Sequence, residues 1–269
     1  ALPISDYVMF SDTLSMYPVQ DSEKWFEIPV VATNICDYDR SFGVEVDDKA
    51  SNAIEKKQYV VESNTVTIKA GERVAKFRMK GVYENIGKTD SLSVTFNLLA
   101  KDENIWDLYG TRTRVQMQKA CPFELSTFEG YCLLTSSFFS AYMTNTEHRL
   151  LQAERDKAED NTIILHDFFY KNYDLKIKYD PSDPLKPFVE FDEQIIGSTA
   201  EAFGTIYGNG KLMCDQPVAY DSYYNVCQKF VILYTTIYVV GKGTVGTYVN
   251  ILEWISDEEA EQYKKEEGL

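Results

Sequence analysis

Apolar and polar residues alternate along much of the first half of the chain. In residues 91–98, leucine, valine and phenylalanine take every second position, with serine, threonine and asparagine between them. The same period of two recurs over residues 42–46, 66–70 and 74–80, and the dipeptide Gly71-Glu72 supplies the turn between the last two. This period is typical of a strand with one buried face. Such short strands, without a long helical pattern before about residue 140, predict a β-sandwich of immunoglobulin-like size.

The second half of the chain predicts a further antiparallel β domain. Gly208-Asn209-Gly210 lies between residues 203–207 and 211–213. An Asn-Gly pair is typical of a hairpin turn because it accepts positive φ values, so these two segments are predicted to be paired strands. Residues 231–240 are apolar or aromatic at nearly every position, which predicts a central strand covered on both faces.

Two segments of the second half match a capping box, in which Ser or Thr is followed three residues later by Glu. The first runs from Thr144 to Glu147 and predicts a short surface helix. A long charged hairpin loop is the alternative for that segment. The second runs from Ser256 to Glu259 and predicts a short helix near the carboxyl end.

A domain boundary is expected near residue 120. Residues 111–119 predict the last strand of the first domain, and Cys121-Pro122-Phe123 resembles a connector. A length of 269 residues also favours two cores over one. The predicted fold class is therefore all-β, with an immunoglobulin-like β-sandwich over residues 1–120. A second antiparallel β-sandwich or barrel-like domain with one or two short helices follows over residues 121–269.

The charge of the chain limits its partners. The formal net charge is −15, so the surface as a whole repels phosphate backbones and anionic lipids. Nucleic acid is therefore excluded as a partner. The strongest apolar run, residues 230–240, has about half of the roughly 20 residues that a membrane-spanning helix needs. It is predicted to be a buried strand instead.

The cysteines give little sign of a metal or disulfide framework. There are 5 of them, and no two stand in a Cys-x-x-Cys pair. An odd number without that pair argues against a zinc site and against a complete set of disulfides. Most are therefore expected to be small buried apolar residues. They are Cys36, Cys121, Cys132, Cys214 and Cys227.

No motif for catalysis is found in the sequence. The two histidines, His148 and His166, belong to no recognisable catalytic arrangement, and no nucleotide-binding glycine loop occurs. No cofactor is predicted. A glycoside hydrolase needs only two carboxylates, however, and 42 Asp and Glu residues will always offer some pair. Calcium is a further hypothesis, because four aspartates could supply oxygens at one end of the sandwich. They are Asp37, Asp39, Asp47 and Asp48.

Aromatic side chains are the best candidates for a binding surface. Rings pack well on apolar faces of a ligand, and polar neighbours then fix its orientation. The segment from Tyr220 to Asn225 is the strongest candidate, because it is polar and rich in turn residues, and its adjacent rings cannot both point inward. The candidate binding residues are Trp25, Trp106, Tyr220, Tyr223 and Tyr224.

Several segments resemble a known family. Residues 44–48, 65–71 and 91–94 are similar to the amino-terminal domain of uncharacterised two-domain surface lipoproteins of gut Bacteroidales, itself similar to Calx-beta and immunoglobulin-like sandwiches. Residues 202–211 and 243–256 are similar to the carboxy-terminal domain of unknown function in those proteins. The resemblance implies export and a lipidated cysteine upstream of this sequence, with anchoring at the outer-membrane surface. It implies no site residue.

These observations favour a non-catalytic cell-surface lipoprotein. We expect it to bind or scaffold a glycan or a protein partner, and to meet a membrane only through the lipid anchor. An active enzyme is not expected, although a glycoside hydrolase with an unrecognised carboxylate pair is kept as an alternative. A structural or assembly subunit is the other alternative, because residues 231–240 form a strongly apolar strand that could be exchanged between chains.

Overall fold

Strands make up most of the regular structure. The computed structural model describes residues 5–106 and 110–268. It contains two compact units, Ala1–Cys121 and Pro122–Leu269, each with its own hydrophobic core. Within the described residues there are three short α-helices, all in the second unit. The predicted all-β fold class is confirmed.

The first unit is a sandwich of two sheets. Its strands are β1 (Val8–Phe10), β2 (Leu14–Val19), β3 (Phe26–Ala32), β4 (Arg40–Val46), β5 (Tyr59–Val61), β6 (Thr65–Ile68), β7 (Val74–Gly81), β8 (Leu92–Leu99) and β9 (Arg112–Lys119). One sheet has the order β1-β3-β7-β5 and the other has the order β2-β9-β8-β4-β6. Neighbours are antiparallel except β2 and β9, which are parallel. Both sheets contribute side chains to one core.

Strand β8 has the predicted inward face but lacks the predicted solvated one. Leu92, Val94, Phe96 and Leu98 are buried as expected, yet Ser93 and Thr95 between them are also buried. Residues 50–52 cover that second face: Asn52 Oδ1 accepts the Ser93 N–H at 2.6 Å, and the Thr95 hydroxyl donates to the Ala50 carbonyl at 3.1 Å. The polar residues are therefore buried because the loop satisfies their hydrogen bonds.

The turn at Gly71 does not join two paired strands. Gly71 has the positive φ of a turn, 79°. However, β6 pairs with β4 in one sheet, whereas β7 pairs with β3 and β5 in the other. The turn therefore carries the chain from one sheet of the sandwich to the opposite one, and the predicted hairpin is wrong.

The second unit is built on one large sheet. Its strands are β10 (Gly130–Ser136), β11 (Arg149–Arg155), β12 (Thr162–Leu165), β13 (Leu175–Tyr179), β14 (Phe188–Glu190), β15 (Gln194–Ser198), β16 (Lys211–Asp215), β17 (Ser222–Asn225), β18 (Phe230–Val239) and β19 (Gly243–Ile255). The helices are α1 (Ser137–Tyr142), α2 (Thr199–Phe203) and α3 (Asp257–Glu267). The strand order is β15-β16-β18-β17-β14-β13-β12-β11-β10-β19, with every pair antiparallel.

The sheet closes on itself because β19 pairs with β18 as well as with β10. Eight strands, from β18 through β17 and β14 round to β19, form the closed part, while β16 and β15 extend from β18. Inward side chains of this closed sheet make the core of the unit, for example Leu134, Ile177, Val231 and Leu252. The interior is thus filled by side chains, as in other small closed sheets.

The first capping-box segment does not start a helix. Residues 149–155 form β11 instead, because Leu151 and Ala153 alternate into the core between exposed neighbours. Both the helix and the long charged loop are therefore wrong for this segment. The helix lies earlier, at α1, where the Ser136 hydroxyl accepts the Phe138 N–H at 3.1 Å.

The glycine-rich turn was predicted correctly, but its first strand was not. Gly208 and Gly210 have φ of 54° and 75°, as a tight turn requires. The preceding residues form α2, which the Ser198 hydroxyl caps and Gly204 ends at φ 73°. The strand that pairs with β16 is β15, so the helix and the turn together connect the two strands. The second capping box is confirmed, since Ser256 and Glu259 cap α3 reciprocally.

Strand β18 is central but is covered on one face only. It pairs with β16 and β17 on one side and with β19 on the other. Its residues alternate strictly between buried and half-buried positions. A closed sheet has only one interior, so the second apolar face of β18 points outward. The prediction of burial on both faces is wrong for this reason.

The cysteines divide into two groups. Cys132 and Cys214 are fully buried free thiols, and Cys36 is a half-buried free thiol. Cys121 and Cys227 are disulfide-bonded, which the sequence analysis did not expect. A disulfide requires its two Cβ atoms to lie about 4 Å apart, and only the folded chain decides that distance. Over residues 5–106 and 110–268, no helix has both the length and the apolar character to cross a membrane.

Candidate functional site

The outward residues of β17, β18 and β19 form one continuous surface. Tyr223 of β17 lies opposite Ile232 of β18, which lies opposite Ile251 of β19. Because successive outward positions on a strand are two residues apart, Phe230 and Tyr234 flank Ile232 on the same side. We call this surface the aromatic face. It comprises Phe188, Tyr220, Tyr223, Phe230, Ile232, Tyr234, Val249 and Ile251.

Tyr220 is the most prominent ring of the aromatic face. It stacks on Tyr234 with ring centroids 5.1 Å apart and an interplanar angle of 23°. Its side chain nevertheless stays 53% exposed, because only one face of the ring is covered. Tyr223 is 39% exposed and meets Phe230 edge-on at 6.4 Å. Two of the predicted binding tyrosines therefore share one surface, and each is held by a second ring.

The local fold of β17 explains why Tyr223 points outward and Tyr224 does not. Ser222 is buried, and its hydroxyl accepts the Tyr234 N–H at 2.9 Å, so this residue of β17 faces the core. Tyr224, two residues further along the strand, faces the same way and is only 6% exposed. Its ring packs between Phe123 and Tyr179 in the core. The sequence-based assignment of Tyr224 to a binding surface is therefore corrected: its ring is a core side chain.

Polar groups border the aromatic face. The hydroxyls of Thr236 and Thr247 lie 3.0 Å apart on the outward side of β18 and β19. Asn225 ends β17 directly opposite Phe230. Further along β18, the Tyr238 hydroxyl donates to the Glu193 carboxylate, and this hydrogen bond raises the pKa of Tyr238 to about 12. The apolar centre thus has hydrogen-bonding groups on its margins.

The two candidate tryptophans belong to the first unit. Trp25 has the Lys80 ammonium 5.2 Å from its ring centroid, within the range of a cation–π contact. Trp106 is 37% exposed and stacks with Tyr7 at 6.2 Å. Neither ring is part of the aromatic face, which lies wholly within the second unit.

The four candidate calcium ligands are not gathered in one place. Asp39 accepts hydrogen bonds from Lys69 and from the Ala70 N–H, and the lysine lowers the pKa of this carboxyl. Asp47 pairs with Arg112 at 2.9 Å and caps the turn that starts at the next residue. Asp37 and Asp48 are exposed. Within the described ranges, no three His, Cys, Asp or Glu side chains come together to hold a metal, so calcium stays a prediction without geometric support.

The histidines make only surface contacts. His166 Nδ1 lies 3.1 Å from the Asp174 carboxylate, and His148 Nδ1 lies 2.8 Å from the Thr135 hydroxyl. Both contacts are exposed: His166 contacts a carboxylate and His148 contacts a threonine hydroxyl. Neither of these two hydrogen bonds joins a nucleophile, a histidine and an orienting carboxylate in one chain, which is the arrangement that activates a hydroxyl.

A cleft of about 430 Å³ in the second unit contains two glutamates. Glu129 accepts the Arg155 Nε–H at 2.9 Å. Glu259 accepts the Ser256 backbone N–H, and this hydrogen bond lowers the pKa of the Glu259 carboxyl. A glycosidase acid needs a raised pKa, so Glu259 does not suit that role. The cleft is lined by Ser126, Thr127, Glu129, Lys229, Trp254, Ile255, Ser256 and Glu259.

The fold and this surface define an almost all-β protein whose second unit exposes an aromatic sheet face. Residues 108–266 match the family described as domain of unknown function (DUF4984). That match covers more than half of the chain, so the chain belongs to this family. Comparison with the curated proteins finds no match.

Solved structures show only distant likeness. A protein of unknown function from Bacteroides ovatus is 9% identical, with a TM-score of 0.38, over 91% of this chain and 90% of that one. An auxiliary nutrient binding protein from Bacteroides thetaiotaomicron is 10% identical, with a TM-score of 0.33, over 90% of this chain and 91% of that one. The apo form of the Calx CBD1 domain is 15% identical, with a TM-score of 0.35, over 44% of this chain and all of that domain (100%).

Most members of the aromatic face were not predicted from the sequence. Tyr220 and Tyr223 were selected from their turn-rich context, whereas Ile232 and Tyr234 belong to the segment 231–240 that was predicted to be covered on both faces. The only signal for them was the alternation of larger outward residues with Val231, Leu233 and Thr235. That list of inward residues is itself almost wholly apolar, so the outward set could not be distinguished by polarity.

Proposed function

We propose that this protein is a non-catalytic binding module that holds a glycan on the aromatic face of its second unit. The observation that carries the proposal is the Tyr220–Tyr234 stack, which presents one open ring face to solvent. Exposed apolar surface of this kind marks an interaction site when it is contiguous. Here the exposed rings are contiguous with the half-buried Ile232 and the exposed Ile251.

A sugar fits this surface better than a wholly apolar ligand. The C–H faces of a sugar ring pack on an aromatic face, while its hydroxyls need hydrogen-bonding partners at the edge. Tyr220 and Tyr223 supply the first kind of contact. The amide of Asn225 and the hydroxyls of Thr236 and Thr247 can supply the second, since all three stand on the outward side of their strands.

A protein partner is the second candidate for the same face. Val249 and Ile251, each 37% exposed, add aliphatic area that a protein would cover more fully than a sugar. The assembly role has less support, because β18 pairs with β16, β17 and β19 within its own unit and is not free for exchange. The hydrolase role also has less support, because both glutamates of the cleft are committed to hydrogen bonds.

The proposal places the protein outside the cytoplasm. Disulfides persist in oxidising compartments, and Cys121 and Cys227 are disulfide-bonded. Attachment to the outer-membrane surface through a lipidated cysteine rests on the resemblance to Bacteroidales lipoproteins. In this arrangement residues 1–120 are an immunoglobulin- or Calx-beta-like domain near the anchor, and residues 121–269 are the binding domain.

The test is a screen of the full chain against neutral and charged polysaccharides, followed by calorimetry with Tyr220→Ala. A tyrosine has roughly 200 Å² of surface. With 53% of Tyr220 exposed, a sugar that covers half of its open area buries about 50 Å². At about 25 cal/mol per Å² this contributes about 1.2 kcal/mol, so the variant should bind about eightfold more weakly.

The matched control is Tyr207→Ala, which removes a tyrosine that is 48% exposed in the same unit but outside the aromatic face. Its affinity should equal that of the unchanged protein. Binding to no polysaccharide would reject the glycan proposal. If Tyr220→Ala nevertheless abolished capture of a partner protein, the second candidate would replace it.

A further inference from the structure

We infer that the cleft of the second unit is a second subsite, which holds one sugar unit of the same glycan chain that lies on the aromatic face. This inference rests on the proposed function and extends it to the length of chain that the protein recognises. It starts from position. Phe230 of the aromatic face is preceded in the chain by Lys229, which lines the cleft. Glu253, directly opposite Phe230 on β19, is followed by Trp254, which also lines the cleft. The cleft therefore begins where the aromatic face ends.

The cleft has the size and the hydroxyl groups that suit a sugar unit. Its volume of about 430 Å³ lies within the range of about 300–1,000 Å³ that is usual for small-molecule sites. Ser126 and Thr127 line it. Within the described residues, neither of their hydroxyls forms a hydrogen bond with another part of the chain. Both hydroxyls are therefore able to bind a ligand.

The two carboxylates of the cleft each keep one oxygen for a ligand. Glu129 Oε1 accepts the Arg155 Nε–H at 2.9 Å. Glu259 Oε2 accepts the Ser256 N–H at 2.7 Å and the Ser256 hydroxyl at 2.9 Å. Over residues 5–106 and 110–268, the second oxygen of each carboxylate forms no hydrogen bond. Since these bonds already stabilise the negative charges, the second oxygens can accept hydroxyl groups and do not require a cationic ligand.

Lys229 supplies the complementary donor. Its carbonyl accepts the Trp254 N–H at 2.9 Å, which fixes its backbone beside the cleft. Its side chain is exposed, and among the described residues it forms no salt bridge. A hydroxyl both donates and accepts a hydrogen bond, so a sugar unit can use the ammonium and the carboxylates together. A ligand that carries only acceptors or only donors can use one of the two.

Trp254 adds a donor that the fold does not satisfy. It is 7% exposed and lines the cleft. Its indole N–H is buried and has no hydrogen-bond partner within the described ranges, although buried polar groups nearly always have one. A residue at the wall of the cleft therefore carries an unused donor. Its position also makes Trp254 a fluorescent reporter of a ligand in the cleft.

The experiment uses Trp25→Phe/Trp106→Phe, which leaves Trp254 as the one tryptophan of the chain's 3. The probes are glucan, mannan and galactan oligosaccharides of two and of six sugar units. Fluorescence titration measures occupancy of the cleft, and calorimetry measures the affinity. A six-unit oligosaccharide should change the Trp254 emission and bind more tightly than its two-unit counterpart, because only the longer chain contacts both subsites. Calorimetry on the chain with all of its tryptophans should give the same affinities.

Lys229→Met tests the cleft directly, because it keeps the length of the side chain and removes the ammonium group. A hydrogen bond to a charged group contributes enough that its loss should weaken binding of the six-unit oligosaccharide about tenfold. Lys242→Met is the matched control. It removes an exposed lysine of the same unit from the turn at the opposite end of β18, so its affinity should be unchanged.

The outcomes separate the two proposals. Suppose that a six-unit oligosaccharide binds and that Tyr220→Ala weakens it, while the Trp254 emission and the affinity of Lys229→Met do not change. The cleft is then not a subsite, and glycan binding on the aromatic face stands. If Lys229→Met weakens binding and Tyr220→Ala does not, the two sites do not share one chain, which overturns the inference. Failure to bind any oligosaccharide, together with no binding in the polysaccharide screen, would reject the proposed function as well.

Discussion

A buried amide in the closed sheet provides the sharpest stability prediction. Asn250 is fully buried on β19. Its Nδ2 donates to the Leu233 carbonyl at 2.9 Å and to the Thr235 hydroxyl at 3.0 Å, and its Oδ1 accepts the Ser136 hydroxyl at 2.6 Å. The amide therefore joins β10, β18 and β19 at the position where the sheet closes.

Asn250→Leu keeps a side chain of similar size but removes all three hydrogen bonds. The Leu233 carbonyl, the Thr235 hydroxyl and the Ser136 hydroxyl each lose one partner. A buried polar group left without its partner costs about 1–3 kcal/mol, although a hydroxyl can rotate toward another acceptor. Burial of the new methyl groups offsets about 1 kcal/mol. We therefore expect the free energy of unfolding to fall by about 3 kcal/mol.

Urea denaturation followed by tryptophan fluorescence measures this change, because Trp254 is buried in the core of the same unit. With a slope of about 1–3 kcal/mol per molar urea, the midpoint should move down by about 1–3 M. Asn145→Leu is the control, since Asn145 is exposed and should change stability by less than about 0.5 kcal/mol. Equal midpoints for the two variants would refute the stabilising role of the network.

Two further predictions concern packing and pH. A Cβ at Gly81 would lie 2.6 and 2.7 Å from the two methyl carbons of Val19, and the β-branched valine side chain cannot easily rotate away. Gly81→Ala should therefore lower the free energy of unfolding of the first unit by about 1–3 kcal/mol in the same urea experiment. An unchanged urea midpoint would contradict this prediction. The hydrogen bond from Lys176 lowers the pKa of the Asp156 carboxyl in the folded protein. The ionised carboxylate therefore stabilises the fold at pH values above the ordinary aspartate pKa of about 3.9. This stabilisation is lost as the pH falls through the lower pKa that Asp156 has in the folded protein. The stability difference between the unchanged chain and Asp156→Asn should accordingly be present at pH 7 and vanish in acid, and a difference independent of pH would rule out the carboxylate as its cause.

The predictable part of the fold came from local rules. The alternation at residues 92–98 predicts β8 because its apolar residues must share one side of a strand. The capping box at Ser256 predicts α3 because both of its hydrogen bonds form within four residues. The Asn209-Gly210 pair predicts a turn because such a pair accepts positive φ values, and Gly208 and Gly210 have them in the structure. Each of these features depends on neighbours in the chain and needs no distant contact.

Other features depended on contacts that a local pattern does not contain. The capping-box motif at Thr144 is followed by strand β11 and not by a helix. The strand pairs with β10 and β12, and this pairing buries more surface than a surface helix would. Ser93 and Thr95 are buried because residues 50–52 cover them. That Cys121 and Cys227 are disulfide-bonded is likewise absent from any local pattern.

The candidate site shows the same division most clearly. By itself the sequence determined that β18 is a strand and that Tyr220 and Tyr223 stand in a polar context. Only the tertiary structure decided that the sheet closes, which leaves one side of β18 for the core and turns the other toward solvent. The physical reason is that both faces of β18 are apolar, so its sequence does not specify which face is buried. The neighbouring strands that close the sheet decide which face points to the core.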